Sequence, residues 1–104
     1  MKEVKAYIHR NRVADVVRAL RHAGFHNLSI IDVKGLLKAL GSQEQDYSIE
    51  IGDEVITEVK LELVCQDDRL AQQAVRIIQD NGRTARPDAG WIYITEIQAA
   101  LPIT

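Results

Sequence analysis

Polar and apolar residues alternate from the start of the chain. Val4, Ala6 and Ile8 fall between Lys5, Tyr7 and His9, the period-two pattern of a half-buried strand. The period then changes. Val13, Val16, Val17 and Leu20 stand at i, i+3, i+4 and i+7, one face of an amphipathic helix. Asn11 is placed to cap its start, and Gly24 to end it in a left-handed turn. Leu28, Ile30, Ile31 and Val33 carry a second strand within the run Asn27–Lys34. The same order recurs further on. In Glu58–Cys65, the residues Val59, Leu61, Leu63 and Cys65 point one way, and Lys60, Glu62 and Val64 the other. Asp67 or Asp68 opens a second helix, where a carboxylate suits the exposed amides and the helix dipole. Leu70, Ala74, Ile77 and Ile78 form its apolar face, and Gly82 stops it. A last strand, Trp91–Thr95, follows the connection Arg83–Ala89.

Two βαβ units in succession, each with a right-handed crossover, predict one domain spanning residues 1–104. The expected fold is a four-stranded antiparallel sheet with both helices on one face, the ferredoxin-like α+β sandwich. That arrangement leaves the other sheet face uncovered. Tyr7, Ile30 or Ile31, Val64, and Trp91 or Tyr93 are candidates for it. Exposed apolar surface of that extent marks an interface, so a homo-oligomer packed through its sheet faces is expected.

The residues between the two units, Gly35 to Thr57, are too many for a turn. A connection that long inside a compact domain is uncommon and usually functional. It carries Glu44, Asp46, Glu50, Asp53 and Glu54 against Lys38 alone, together with Leu36, Leu37, Leu40, Ile49, Ile51, Val55 and Ile56. An acidic segment with apolar residues to hide should order against a partner. Within it, Tyr47-Ser48-Ile49-Glu50-Ile51 alternates like a strand and Gly52-Asp53 suits a tight turn, so part of it is expected to form a β-ribbon.

Composition narrows the function classes. A chain of 104 residues at 46% hydrophobic content builds one modest core. A formal net charge of −2 argues against a nucleic-acid partner, which would call for a basic excess. The single cysteine, Cys65, excludes an internal disulfide and a Cys-rich zinc site. No apolar run reaches the roughly 20 residues that span a bilayer, and no signal pattern precedes the first strand, so a cytoplasmic protein is expected. No nucleophile–base pair and no GxSxG, HExxH or P-loop signature is present. Neither catalytic residues nor metal ligands are therefore assigned, and a non-enzyme is expected.

Three ordered motifs, Val33-Lys34-Gly35, Val59-Lys60-Leu61-Glu62-Leu63 and Ile77-Ile78-Gln79, resemble the PII nitrogen-regulatory protein family over essentially the whole chain. The resemblance implies a homotrimer with nucleotides in the clefts between subunits. It also implies that residues 36–57 form a T-loop engaging a target protein, such as a membrane transporter or a metabolic enzyme. On the adenosine side it assigns Ser29, Gly35, Glu62 and Val64, with Tyr7 and Trp91 as aromatic faces for adenine. On the phosphate side it assigns Arg83, Arg86 and Gly90, within or beside the B-loop Thr84–Trp91. Glu44, Asp46, Tyr47, Glu50 and Ile51 would be the partner-binding part of the loop.

The departures from the family pattern carry information. Ile51 stands where many members have a modifiable tyrosine, with Tyr47 four residues earlier, so covalent control at the usual position is chemically excluded. Ala39 and Glu58 stand where a 2-oxoglutarate site needs a glutamine and a lysine. A carboxylate facing a dicarboxylate is repelled by on the order of 1 kcal/mol or more, so 2-oxoglutarate is not the expected effector. A carbon- or bicarbonate-related signal is the reading carried over from specialised relatives. The tail from Gln98 to Thr104 holds no arginine, and the B-loop has fewer glycines than the family pattern. Reduced positive charge favours ADP, AMP or cyclic AMP over ATP, alone or with a small anion.

Simpler readings stand beside these. Arg83 and Arg86 also suit the end of a helix, where cations complement the dipole. Cys65 falls on the inward face of its strand, as an inert buried thiol. His22 and His26 lie four apart, but Gly24 between them separates their directions. A metal-responsive trimer of the CutA kind, using His9, His22 or His26, is the alternative function. A slow nucleotide hydrolase in the same cleft is a third, without a positioned base.

Overall fold

The computed structural model describes residues 1–32, 58–85 and 89–104. Strand β1, Lys2–His9, leads through a 3₁₀ turn, Arg10–Arg12, into helix α1, Val13–His22. Strand β2 is Leu28–Asp32 and β3 is Glu58–Cys65. Helix α2, Asp68–Gly82, and strand β4, Gly90–Glu96, complete the elements of the described residues. The sheet has the order β2-β3-β1-β4, and each neighbouring pair is antiparallel. Each βαβ unit thus places its two strands on either side of a strand from the other unit, which is the expected ferredoxin-like sandwich.

Register sorts the two sheet faces. Val4, Ala6 and Ile8 of β1 pair with Leu63, Leu61 and Val59 of β3, and all six are buried. Val16 and Leu20 of α1, and Ala71, Ala74 and Ile78 of α2, close over this face. Ala71 extends the α2 stripe beyond the apolar positions expected from sequence. Each large aliphatic side chain so buried contributes on the order of 2 kcal/mol.

The opposite face is open. Tyr7 opposes Lys60 and Trp91, Lys5 opposes Glu62 and Tyr93, and Ile31 opposes Lys60. Register settles the two alternatives left by periodicity: Ile31, Trp91 and Tyr93 lie on the open face with Tyr7 and Val64. Ile30 and Ile94 belong to the helix side, as partners of Leu61 and Val4. Both remain exposed because β2 and β4 are the edge strands.

The helix ends correct one expectation and bear out the others. Asn11 caps nothing. It sits inside the 3₁₀ turn, and its own N–H donates to Nδ1 of His9 at 3.3 Å. Helix α1 begins after Arg12 without a side-chain cap. Gly82 is the last residue of α2 and does not adopt positive φ; the chain leaves the helix through Arg83 at φ −60°, ψ 140°. A Cβ on Gly82 would make ordinary contact with Val16 Cγ2 at 3.6 Å. Gly24, by contrast, has φ +100° after α1, as a left-handed helix end requires. Asp67, of the two candidates, caps α2, accepting from the Leu70 N–H at 2.8 Å. Val33 and Lys34, expected at the end of the second strand, lie outside the described residues.

Candidate functional site

A cleft of about 420 Å³ opens where β1 ends, α2 ends and β4 begins, within the range of ligand pockets. Ile8, Ile78 and Ile92 give it an apolar floor. Gln79, Gly82 and Arg83 form the wall from α2; Ala89, Gly90 and Trp91 form the wall from β4; Tyr7 borders it. Three separate segments converge because β4 pairs with β1 in a register that sets Gly90 opposite Ile8 and Trp91 opposite Tyr7.

Gly90 permits that approach. Its φ is +154°, and a Cβ there would lie 2.1 Å from the Tyr7 carbonyl oxygen. Only glycine fits such a backbone. The B-loop glycine therefore has a steric reason in the β1–β4 pairing, independent of phosphate.

Two polar groups border the apolar floor. Arg83 is exposed, with Nη2 3.4 Å from Asp80 Oδ1. A contact that long between exposed groups is weak, so the guanidinium remains free to meet an anion. Gln79 contributes a carboxamide, a donor and acceptor in one group. The aromatic residues continue onto the open face: Tyr7 and Tyr93 meet edge-to-face, with ring centroids 6.0 Å apart, and Trp91 is 65% exposed beside them.

The other predicted nucleotide residues lie elsewhere on the sheet. Ser29 and Glu62 are register partners on β2 and β3, and Val64 is exposed two residues beyond Glu62. Lys60 Nζ stands 2.7 Å from Glu62 Oε1. That hydrogen bond holds the Glu62 carboxyl below the usual carboxylate range and raises the Lys60 ammonium. Of the nine residues proposed for nucleotide, the structure thus gathers Tyr7, Arg83, Gly90 and Trp91 in one cleft, and sets Ser29, Glu62 and Val64 on the β2–β3 half of the open face. Gly35 and Arg86 lie outside the described residues, as do Glu44, Asp46, Tyr47, Glu50 and Ile51.

Sequence reasoning did not assign Gln79 or Lys60 to a site. Gln79 is polar immediately after the apolar pair Ile77-Ile78 and one turn before the helix ends, a signal that could have marked it. Lys60 stands two residues from Glu62 on a strand, which places both on one face.

The histidines do not converge within the chain. His9 ends β1 and accepts from Asn11, whereas His22 lies at the far end of α1, a ten-residue helix about 15 Å long. His22 and His26 share a shallow groove with Arg18 and Arg21, neighbours that repel a metal cation. Among the described residues, no group of three or more His, Cys, Asp or Glu side chains is placed to hold a metal ion. Cys65 is buried, and burial pushes its thiol pKa up. Such a thiol is a poor nucleophile. Among the described residues, no helix is long and apolar enough to cross a membrane.

Comparison with known proteins agrees with the fold. The family model described as nitrogen regulatory protein P-II matches residues 1–103. The nitrogen regulatory protein P-II of Rhodobacter capsulatus is 32% identical over 103 residues, covering 99% of this chain and 91% of the relative. Nitrogen regulatory protein P-II 1 of Methanothermobacter thermautotrophicus is 30% identical over 97 residues, with 93% and 84% covered. The nitrogen regulatory protein P-II of Porphyra purpurea is 24% identical over 103 residues, with 99% and 91% covered.

Proposed function

The chain belongs to the nitrogen regulatory protein P-II family, and on that premise we propose a signal-transduction regulator in which adenine nucleotide occupies clefts between the protomers of a homotrimer. Nucleotide then governs how residues 36–57 engage a target protein. The protein acts in the cytoplasm, without catalysis, on a transporter or a metabolic enzyme, and nucleic acid is not a partner.

The observation that carries this reading is the cleft itself. It has an apolar floor, a backbone approach that only Gly90 allows, and Arg83 at its rim. The distribution of the remaining residues supports an inter-subunit site. Ser29, Glu62 and Val64 lie on the β2–β3 half of the sheet, and the cleft on the β1–β4 side. A seam between two copies unites the two groups, and the exposed Ile31, Val64 and Tyr93 supply apolar surface for that seam.

Among the described cleft residues Arg83 alone carries a positive charge, which favours ADP, AMP or cyclic AMP over ATP. With Ala39 and Glu58 at the positions named above, 2-oxoglutarate is not the effector. A carbon- or bicarbonate-related anion takes its place.

The test is calorimetry with ATP, ADP, AMP and cyclic AMP on the sized oligomer, with emission from Trp91, the one tryptophan of the chain, as a second readout. The expected result is binding that perturbs Trp91 emission, with ATP the weakest. Arg83→Ala should weaken ADP roughly tenfold, the scale of one charge-assisted hydrogen bond. Absence of binding by all four nucleotides overturns the proposal.

A further inference from the structure

The turn between β1 and α1 makes two long-range contacts in opposite directions. Arg10 lays its guanidinium fork on Asp32, with Nη1 2.6 Å from Oδ2 and Nη2 2.7 Å from Oδ1. Such a bidentate charged pair is directional as well as attractive. Asp32 is the last residue of β2, and the long acidic segment follows it in sequence. Arg12 reaches the other way. Its Nε donates to the main-chain carbonyl oxygen of Asn81 at 3.1 Å, in the last turn of α2. Carbonyls there have no partner further along the helix, so Arg12 satisfies one and ties down the turn that ends in Gly82 and Arg83. Asp15 steadies Arg12 from α1 at 3.2 Å.

The element joining these contacts is short and closed. Arg10, Asn11 and Arg12 form a single 3₁₀ turn. His9 Nδ1 accepts from the Asn11 N–H, and the Val13 N–H donates to the Arg10 carbonyl. A turn closed at both ends does not let its first and third residues shift independently.

We propose that Arg10-Asn11-Arg12 is a relay: it couples occupancy of the cleft beside α2 to the position of Asp32, the root of the long segment. The inference rests on the nucleotide reading of the cleft. Arg10 and Arg12 are positioning residues in it, and neither lines the cleft. Asp32 is further removed, on the edge strand opposite β4 in the sheet order. Three strand spacings separate β2 from β4, about 14 Å. Asp32 is not among the residues that line the cleft of its own protomer, so within one protomer its influence on a ligand there passes through Arg10.

A double-mutant cycle on the full chain tests this, with ADP as the probe and calorimetry as the readout. Asp32→Asn keeps the side-chain shape but weakens the fork, and Arg12→Met keeps the stem but removes the donor. Each should weaken ADP binding by at least about fivefold, the lower end of ordinary coupling between sites. The double variant should be no weaker than the weaker single one. The charge swap R10D/D32R should restore affinity to within about twofold. Thermal midpoints recorded alongside separate coupling from a purely structural role, which would move the midpoint and leave affinity in place. If the unaltered chain does not bind ADP, the cleft reading falls and the relay with it. If it binds ADP but Asp32→Asn leaves affinity unchanged, or the two single effects multiply, the relay alone is overturned.

Discussion

Replacing Gly90 with alanine examines the steric reasoning at its sharpest point. The new Cβ would sit 2.1 Å from the Tyr7 carbonyl oxygen and 3.2 Å from its carbon. Both obstacles are backbone and cannot rotate away. Restoring an ordinary contact requires the strands to part by roughly 1 Å or more, and a hydrogen bond stretched by that amount is lost. The first β1–β4 pair, Ile8 with Gly90, would then open. The φ of +154° adds backbone strain of about 1–3 kcal/mol for a residue with a side chain, and the broken pairing adds about 1 kcal/mol. The sum is about 2–4 kcal/mol, or a fall in Tm of roughly 10–20 °C for a domain of this size.

Two further glycines calibrate the experiment. Gly24 has φ +100° but nothing within 4 Å of its added Cβ, so Gly24→Ala should cost about 1–2 kcal/mol. Gly82 is helical, with ordinary contacts to Val16 and Ile8 at 3.6 and 3.9 Å, so Gly82→Ala should be neutral or stabilise by up to about 1 kcal/mol. Urea unfolding followed by far-ultraviolet circular dichroism gives the order, with protein concentration held fixed across the three variants. A Gly90→Ala midpoint at or above that of Gly24→Ala would refute the argument.

Other outcomes follow from the same structure. Glu62 titrates below its ordinary range and Lys60 above its own because they are hydrogen-bonded. The pair's contribution, small for groups this exposed, is therefore present between about pH 4.3 and pH 10.4. It is lost as acid passes the lowered Glu62 value, and as base passes the raised Lys60 value. Glu62→Gln should flatten both limbs of a stability–pH curve measured by urea midpoint, and an acid limb as steep as that of the unaltered chain refutes the assignment. Cys65 is buried with a raised thiol pKa, so its reaction with a disulfide reagent should be at least about a hundredfold slower in the native protein than in urea. Native labelling at the unfolded rate would contradict its placement.

The fold was legible where periodicity and burial coincide. The alternation at Val4, Ala6 and Ile8, and again from Val59 to Cys65, names the inner sheet face, because a strand's side chains alternate irrespective of what it pairs with. The same alternation could not choose between Ile30 and Ile31, since the two are adjacent and only register with β3 decides. Helix ends were less legible. The 3₁₀ turn moved the start of α1 past Asn11, and the exit of α2 through an extended Arg83 left Gly82 an ordinary helical residue. The site was legible by halves. Tyr7, Arg83, Gly90 and Trp91 come together, but no sequence pattern reports that Ser29 and Glu62 are register partners on the other half of the sheet. Arg12 with Asn81 is 69 positions apart in sequence and was invisible for the same reason, because local spacing holds no record of long-range contact.

One detail of the register has a consequence for how such proteins diversify. Asp32 and Val59 are directly opposed residues of neighbouring antiparallel strands, so the two anchor points of everything between them are fixed by main-chain pairing. The closure entropy of a connection between fixed anchors rises only with the logarithm of its length, about 0.6 kcal/mol per doubling. Lengthening, trimming or rewriting that stretch therefore leaves the sheet and its helices nearly indifferent. A chassis built this way can take on a new sequence there while its folding problem stays the same.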